Sequence, residues 1–175
     1  VADLLGTTLP AGEAELVGDL LAAEQLAVEV YGRAAASPDL SPRARRLVGR
    51  LRAQERVHAA ALARLLPRAQ REALGREHSA GETEAGLARY GIEVTLGDLH
   101  SERAWFTLLE NVEGALEGAY YKSLRHLESA SVATLAARIM ASEAQHSTLL
   151  LRLRNPRDID LDVAVGLVKG RAGHH

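Results

Sequence analysis

Cysteine is absent from this chain, so there is no disulfide framework, no thiolate-held metal and no thiol nucleophile, and the redox compartment is left open. Aromatic residues make up only 3% of the sequence, with one Trp and one Phe, so any core must be built from aliphatic side chains. No apolar run approaches the roughly 20 residues that a membrane span requires. A soluble protein is expected, cytoplasmic or exported after loss of a leader. Val1 in place of Met fits such trimming, and the terminal Gly173-His174-His175 reads as the stub of a tag that is kept out of any metal argument. Charge of one sign is also missing as a block: 21 basic and 23 acidic residues are interspersed, which offers neither a nucleic-acid footprint nor an acidic tail. Glycine-rich phosphate loops and nucleophile elbows are lacking too.

What the 175 residues do contain is Ala, Leu and Val in quantity, 47% of the chain being hydrophobic, a mixture that favours closely packed helices. One domain over residues 1–175 is expected, with an all-α core at about 13–154. After an irregular lead-in, a first helix runs from Glu13 to about Ala36 with Leu16, Val17, Leu20, Leu21, Glu24, Ala27, Val28 and Tyr31 on its apolar stripe. Pro38 stops it, and Ser41-Pro42 starts a second helix that runs past Leu65, is perturbed at Pro67 and resumes towards Leu74. Residues 75–98 read as a long crossover, patterned only weakly from Ala85 to Ile92. A third helix spans about Leu99 to His126 and a fourth about Ser131 to Arg154, ended by Asn155-Pro156. Asp158 to Lys169 is expected to add a short C-terminal fifth helix to an antiparallel four-helix bundle of two hairpins.

The second helix carries an anomaly. Leu47, Leu51, Glu55, His58, Leu62 and Leu65 succeed one another at helical steps, so an acid and an imidazole point where the leucines point. Burying that carboxylate costs several kcal/mol unless something compensates it. An internal repeat supplies the context. Adding 88 carries Leu47, Leu51, Ala53, Glu55, His58, Leu62, Arg64 and Leu65 onto Leu135, Ile139, Ala141, Glu143, His146, Leu150, Arg152 and Leu153. Adding 89 carries Leu20, Glu24, Ala27 and Tyr31 onto Leu109, Glu113, Leu116 and Tyr120. With hairpin arms of similar length, four carboxylates and two imidazoles converge at one level of the bundle. Four buried carboxylates carry a charge of about −4, which two divalent cations would neutralise.

One Glu from each of two helices and a Glu-x-x-His from each of the other two is the arrangement known from ferritin-like di-iron and di-manganese proteins. On Glu24 with Tyr31, Gln54-Glu55-Arg-Val-His58, Glu113 with Tyr120 and Glu143-Ala-Gln-His146, which together span residues 16–154, the chain resembles the ferritin-like superfamily, and within it the bacterial ferritin-like domain proteins associated with desiccation. The resemblance implies Glu24 and Glu113 as terminal metal ligands, Glu55 and Glu143 as bridging ligands, and His58 and His146 as one imidazole per metal. The lead-in, crossover and tail are not covered by it.

Other polar residues are more ambiguous. Glu110 and Glu117 share a face with Glu113, whereas their counterparts in the first helix are Leu21 and Val28; they read either as extra ligands, outer partners or an ion conduit, or as partly exposed acids paired with arginines. Tyr31 and Tyr120 read as core residues with satisfied hydroxyls, or as outer partners of the ligands. His78, His100 and His126 match no repeat and read as surface residues. The leading functional reading is a carboxylate-bridged dinuclear centre, with iron favoured and manganese or zinc also accommodated, acting on Fe(II), dioxygen or peroxide. The alternatives are a non-enzymatic, metal-stabilised stress-protective bundle and a subunit of an iron-storing assembly. A homodimer is compatible with the sequence; nucleic acid and membrane spans are not implied.

Overall fold

The computed structural model describes residues 9–74 and 78–154. Its elements are α1 (Ala11–Ala36), α2 (Pro42–Ala63), α3 (Arg68–Leu74), α4 (Ala80–Ala88), a 3-10 turn at Leu96–Asp98, α5 (Glu102–Leu124) and α6 (Ala130–Arg154). No strand occurs among the described residues. α1 packs on α2 and α5 on α6 as two hairpins, and α1 packs on α5 to join them. α2 and α6, by contrast, hardly approach each other along their backbones. None of the described helices is long and apolar enough to cross a membrane.

Local chemistry sets the helix ends. The Ser41 hydroxyl accepts from the Ala44 amide, and Pro42 lacks only an amide hydrogen that the first turn leaves unpaired anyway. α2 stops at Ala63, and α3 begins directly after Pro67. The third long helix starts at Glu102 rather than near Leu99, because Ser101 caps it through the Ala104 amide. The crossover is more ordered than its weak pattern from Ala85 to Ile92 predicts, and it carries a helix at Ala80–Ala88. Ser79 and Glu82 form a reciprocal capping box at its start. Glu29 on α1 then accepts from Thr83 and Arg33 and meets His78 Nδ1 at 2.9 Å, fastening α4 to the bundle. His78 is therefore a strapped, part-buried residue and not a surface one, while His100 and His126 are exposed as expected. The fifth helix expected over Asp158 to Lys169 lies outside the described residues, as does part of the crossover.

The core consists of two apolar clusters separated by a polar layer. One gathers Ala27, Val30, Tyr31, Leu51, Trp105, Phe106, Leu109 and Leu116; the other gathers Val17, Leu20, Leu21, Leu62, Tyr120, Val132 and Ile139. Each tyrosine comes from a different cluster, and both reach the layer between.

The hairpins interlock by exchange. Glu102 at the start of α5 accepts from the Ser41 amide in the α1–α2 turn, at 2.8 Å. Glu13 at the start of α1 accepts from the Ser129 amide in the α5–α6 turn, at 2.9 Å. The offsets of 89 and 88 relate Glu13 to Glu102 and Ser41 to Ser129, so each hairpin closes the other's turn with the same residue types. Apolar periodicity does not reveal this match, because caps and turn residues stand off the stripe.

Candidate metal centre

Glu24, Glu55, Glu113 and Glu143 come from the four long helices and are fully buried, each 0% exposed. Helical spacing brings them inward with the apolar stripes, as the sequence predicts. His146 is buried beside them, and the His58 side chain is 11% exposed. The six residues form two groups whose potential donor atoms lie within 4.8 Å of one another: Glu24, Glu55, His58 and Glu143 in one, Glu55, Glu113, Glu143 and His146 in the other. Glu55 and Glu143 belong to both.

The two groups are arranged reciprocally. His58 Nδ1 lies 2.7 Å from Glu143, 3.4 Å from Glu55 and 3.7 Å from Glu24. His146 Nδ1 lies 2.8 Å from Glu55, 3.2 Å from Glu143 and 3.6 Å from Glu113. The rings stack across the centre with centroids 6.0 Å apart. Tyr31 donates to Glu113 Oε1, and Tyr120 donates to Glu24 Oε1 at 2.5 Å. Both tyrosines thus answer both sequence expectations, being fully buried in the core with hydroxyls bonded to the carboxylates of the opposite hairpin.

Short distances do not make this a satisfied network. Glu24 Oε2, Glu113 Oε2, both oxygens of Glu55 and of Glu143, and Nδ1 of both histidines are buried without a partner in hydrogen-bond geometry. Those eight atoms all face the space between the helices. All eight take part in the His–Glu contacts at ion-pair distance, so the layer needs positive charge at its centre, which a cation or protonated imidazoles would supply.

Without a cation, protons carry the compensation. Burial, with the neighbouring charges of Glu143 and Glu55, pushes Glu24 up to about 8 despite its contact with His58. Burial likewise drives Glu113 well above the carboxylate range. For His58 and His146 burial works against charge, but contacts with the surrounding glutamates outweigh it and push them up to about 11 and about 12. Burial would also raise Glu143, yet the two imidazoles hold it down to about 2.

The remaining sequence candidates stand apart from both groups. Glu110 pairs with Arg154 at 2.7 Å, and Glu117 accepts from Ser147 at 2.6 Å. One polar partner was not foreseen from the sequence: Gln54, whose Oε1 lies 2.5 Å from His146 Nε2.

A family model described as ferritin-like domain matches residues 13–156, most of the chain and all six clustered residues. The chain belongs to the ferritin-like domain family. Its match takes in the four long helices and the crossover that ferritin-like connectivity requires. No curated protein and no solved structure matches this ferritin-like chain.

Proposed function

We propose that Glu24, Glu55, His58, Glu113, Glu143 and His146 hold two divalent metal ions, iron or manganese, and that the protein is an oxidoreductase oxidising Fe(II) or activating dioxygen or peroxide. The observation that carries this reading is the convergence of eight buried donor atoms, none in hydrogen-bond geometry, in two groups that share Glu55 and Glu143. Carboxylate oxygens with one imidazole per ion suit iron or manganese, and no thiolate is available to favour softer metals. A pair of such ions supplies one-electron redox chemistry towards oxygen species.

The protein's own groups define the rest. Tyr31 and Tyr120 each occupy Oε1 of a glutamate and leave Oε2 to face the centre, which gives Glu113 and Glu24 one inward oxygen apiece. Glu55 and Glu143 keep both oxygens inward and belong to both groups, which suits them to hold the ions together. The surrounding apolar clusters exclude bulk water and strengthen every charge contact. Anaerobic loading with Fe(II) followed by dioxygen tests the activity: a di-ferric absorption band is expected, and two bound irons that stay ferrous would refute it.

A second reading is favoured by one specific observation. α2 and α6 are joined across their seam by the Glu/His cluster and Gln54 rather than by close backbone packing, so bound metal would staple the hairpins together. At a free-metal concentration 100 times Kd, one site adds about 2.7 kcal/mol to stability. That corresponds to a rise of about 5–10 °C in Tm for a chain of this size, and equal melting temperatures with and without chelator would remove the stapling role.

A further inference from the structure

Among the described residues, the two hairpins exchange equivalent contacts at three levels of the seam and differ at a fourth. Glu13 and Glu102 trade turn amides, Tyr31 and Tyr120 trade glutamates, and His58 and His146 trade Glu143 for Glu55. The exception lies on the outer edge of the imidazoles. His146 Nε2 faces Gln54 Oε1 across the seam at 2.5 Å. The residue equivalent to Gln54 in the second hairpin is Ser142, whose hydroxyl turns to His146 of its own helix at 3.5 Å. His58 Nε2 consequently has no hydrogen-bond partner among the described residues, and its side chain is 11% exposed against 4% for His146.

The consequence follows from what an amide oxygen can do. Oε1 only accepts, so the nitrogen facing it must carry the hydrogen. In the neutral imidazole that a metal requires, a hydrogen fixed at Nε2 confines the lone pair to Nδ1, the atom that points at Glu55, Glu143 and Glu113. Outer partners of this type orient metal-binding histidines and contribute about 10–100-fold in affinity. His58 faces the equivalent carboxylates Glu24, Glu55 and Glu143, but no partner among the described residues takes its outer hydrogen.

We propose, building on the dimetal reading above, that Gln54 is a positioning residue that makes the two metal positions unequal. The position formed by Glu55, Glu113, Glu143 and His146 fills first and holds its ion; the one formed by Glu24, Glu55, Glu143 and His58 fills second and exchanges. The less covered His58 edge gives that second ion the shorter way out.

The test combines a metal-free readout with a metal titration on the full chain purified without histidine-affinity resin. In metal-free protein labelled with 15N-histidine, the Nε2 hydrogen of His146 should be protected from solvent exchange and that of His58 should not. Anaerobic Co(II), followed by visible absorption and calorimetry, should bind in two steps separated by at least about tenfold in affinity. Gln54→Leu should abolish the protection at His146 and weaken the first step by about 10–100-fold while leaving the second in place. Gln54→Glu, which restores an acceptor, should recover both. Gln54 is exposed on α2, and an unchanged melting temperature of the metal-free variants verifies folding. Two equal steps in the unaltered protein, a loss shared equally by both steps in Gln54→Leu, or absence of protection at His146 would each overturn the proposal while leaving two ions bound. Protein that shows the protected hydrogen yet binds no Co(II) would instead remove the dimetal reading, and the proposal with it.

Discussion

The first hairpin, α1 with α2, and the second, α5 with α6, agree where they face each other and differ where they do not. Inward, Glu24, Tyr31 and Glu55 are matched by Glu113, Tyr120 and Glu143 in position, burial and contacts, and His58 is matched by His146 in position and in its contacts with carboxylates. Outward, Leu21 and Val28 give way to Glu110 and Glu117, which take Arg154 and Ser147 as partners at the α5–α6 edge. Gln54 gives way to Ser142. The repeat is kept in the inner layer and lost in the outer one.

Proton release breaks or sharpens that comparison most strongly. In metal-free protein at pH 7, Glu24, Glu113, His58 and His146 all keep protons that the unfolded chain would hold less tightly. Divalent metal must displace them, so calorimetry in buffers of different ionisation enthalpy should register about four protons released per chain, two from each hairpin. The sign for stability follows. The histidine contribution is fully present below pH 6.5 and is lost as pH rises through about 11 and 12, and that of Glu24 is lost from pH 4.5 through about 8. Glu143, lowered to about 2, acts in the opposite sense: its contribution is present above pH 4.5 and lost as pH falls through about 2. Urea melts of metal-free protein should therefore show stability falling from about pH 6 to pH 9. A flat profile would mean that the imidazoles and carboxylates do not share protons as their contacts require.

Smaller effects are expected from the tyrosines. Tyr31→Phe and Tyr120→Phe each remove a buried donor and leave a carboxylate oxygen unpaired, at a cost of about 1–3 kcal/mol. Equal losses in urea denaturation would support equivalence of the hairpins, and a loss confined to one would break it. The smallest effect belongs to the unmatched acids. Glu110→Gln and Glu117→Gln alter contacts near the surface and should each change stability by about 0–1 kcal/mol, with metal stoichiometry unaltered. A lost ion in either variant would restore these residues as ligands.

The inner layer was legible in the sequence because burial and periodicity act together there: an acid on an apolar stripe is anomalous, and its recurrence after a fixed interval makes it a site. α4 was harder to read. Its capping box, Ser79 with Glu82, is written in the chain, but only Thr83 and Leu87 of its residues are buried, and Glu29 and Arg33 of α1 supply the strap that fastens it. Gln54 stood in the matching motif beside Glu55, but its role was not legible. A polar residue on an exposed helix position carries no pattern, and only the placement of α6 opposite reveals His146 beside it.

The most direct measurement is elemental analysis of the protein purified without histidine-affinity resin, beside a Glu55→Ala, Glu143→Ala double variant. These two glutamates are shared by both groups, so their loss should empty both positions. About two iron or manganese ions per chain in the unaltered protein and none in the variant are expected from the two-group arrangement. Equal metal content in the two proteins would contradict it.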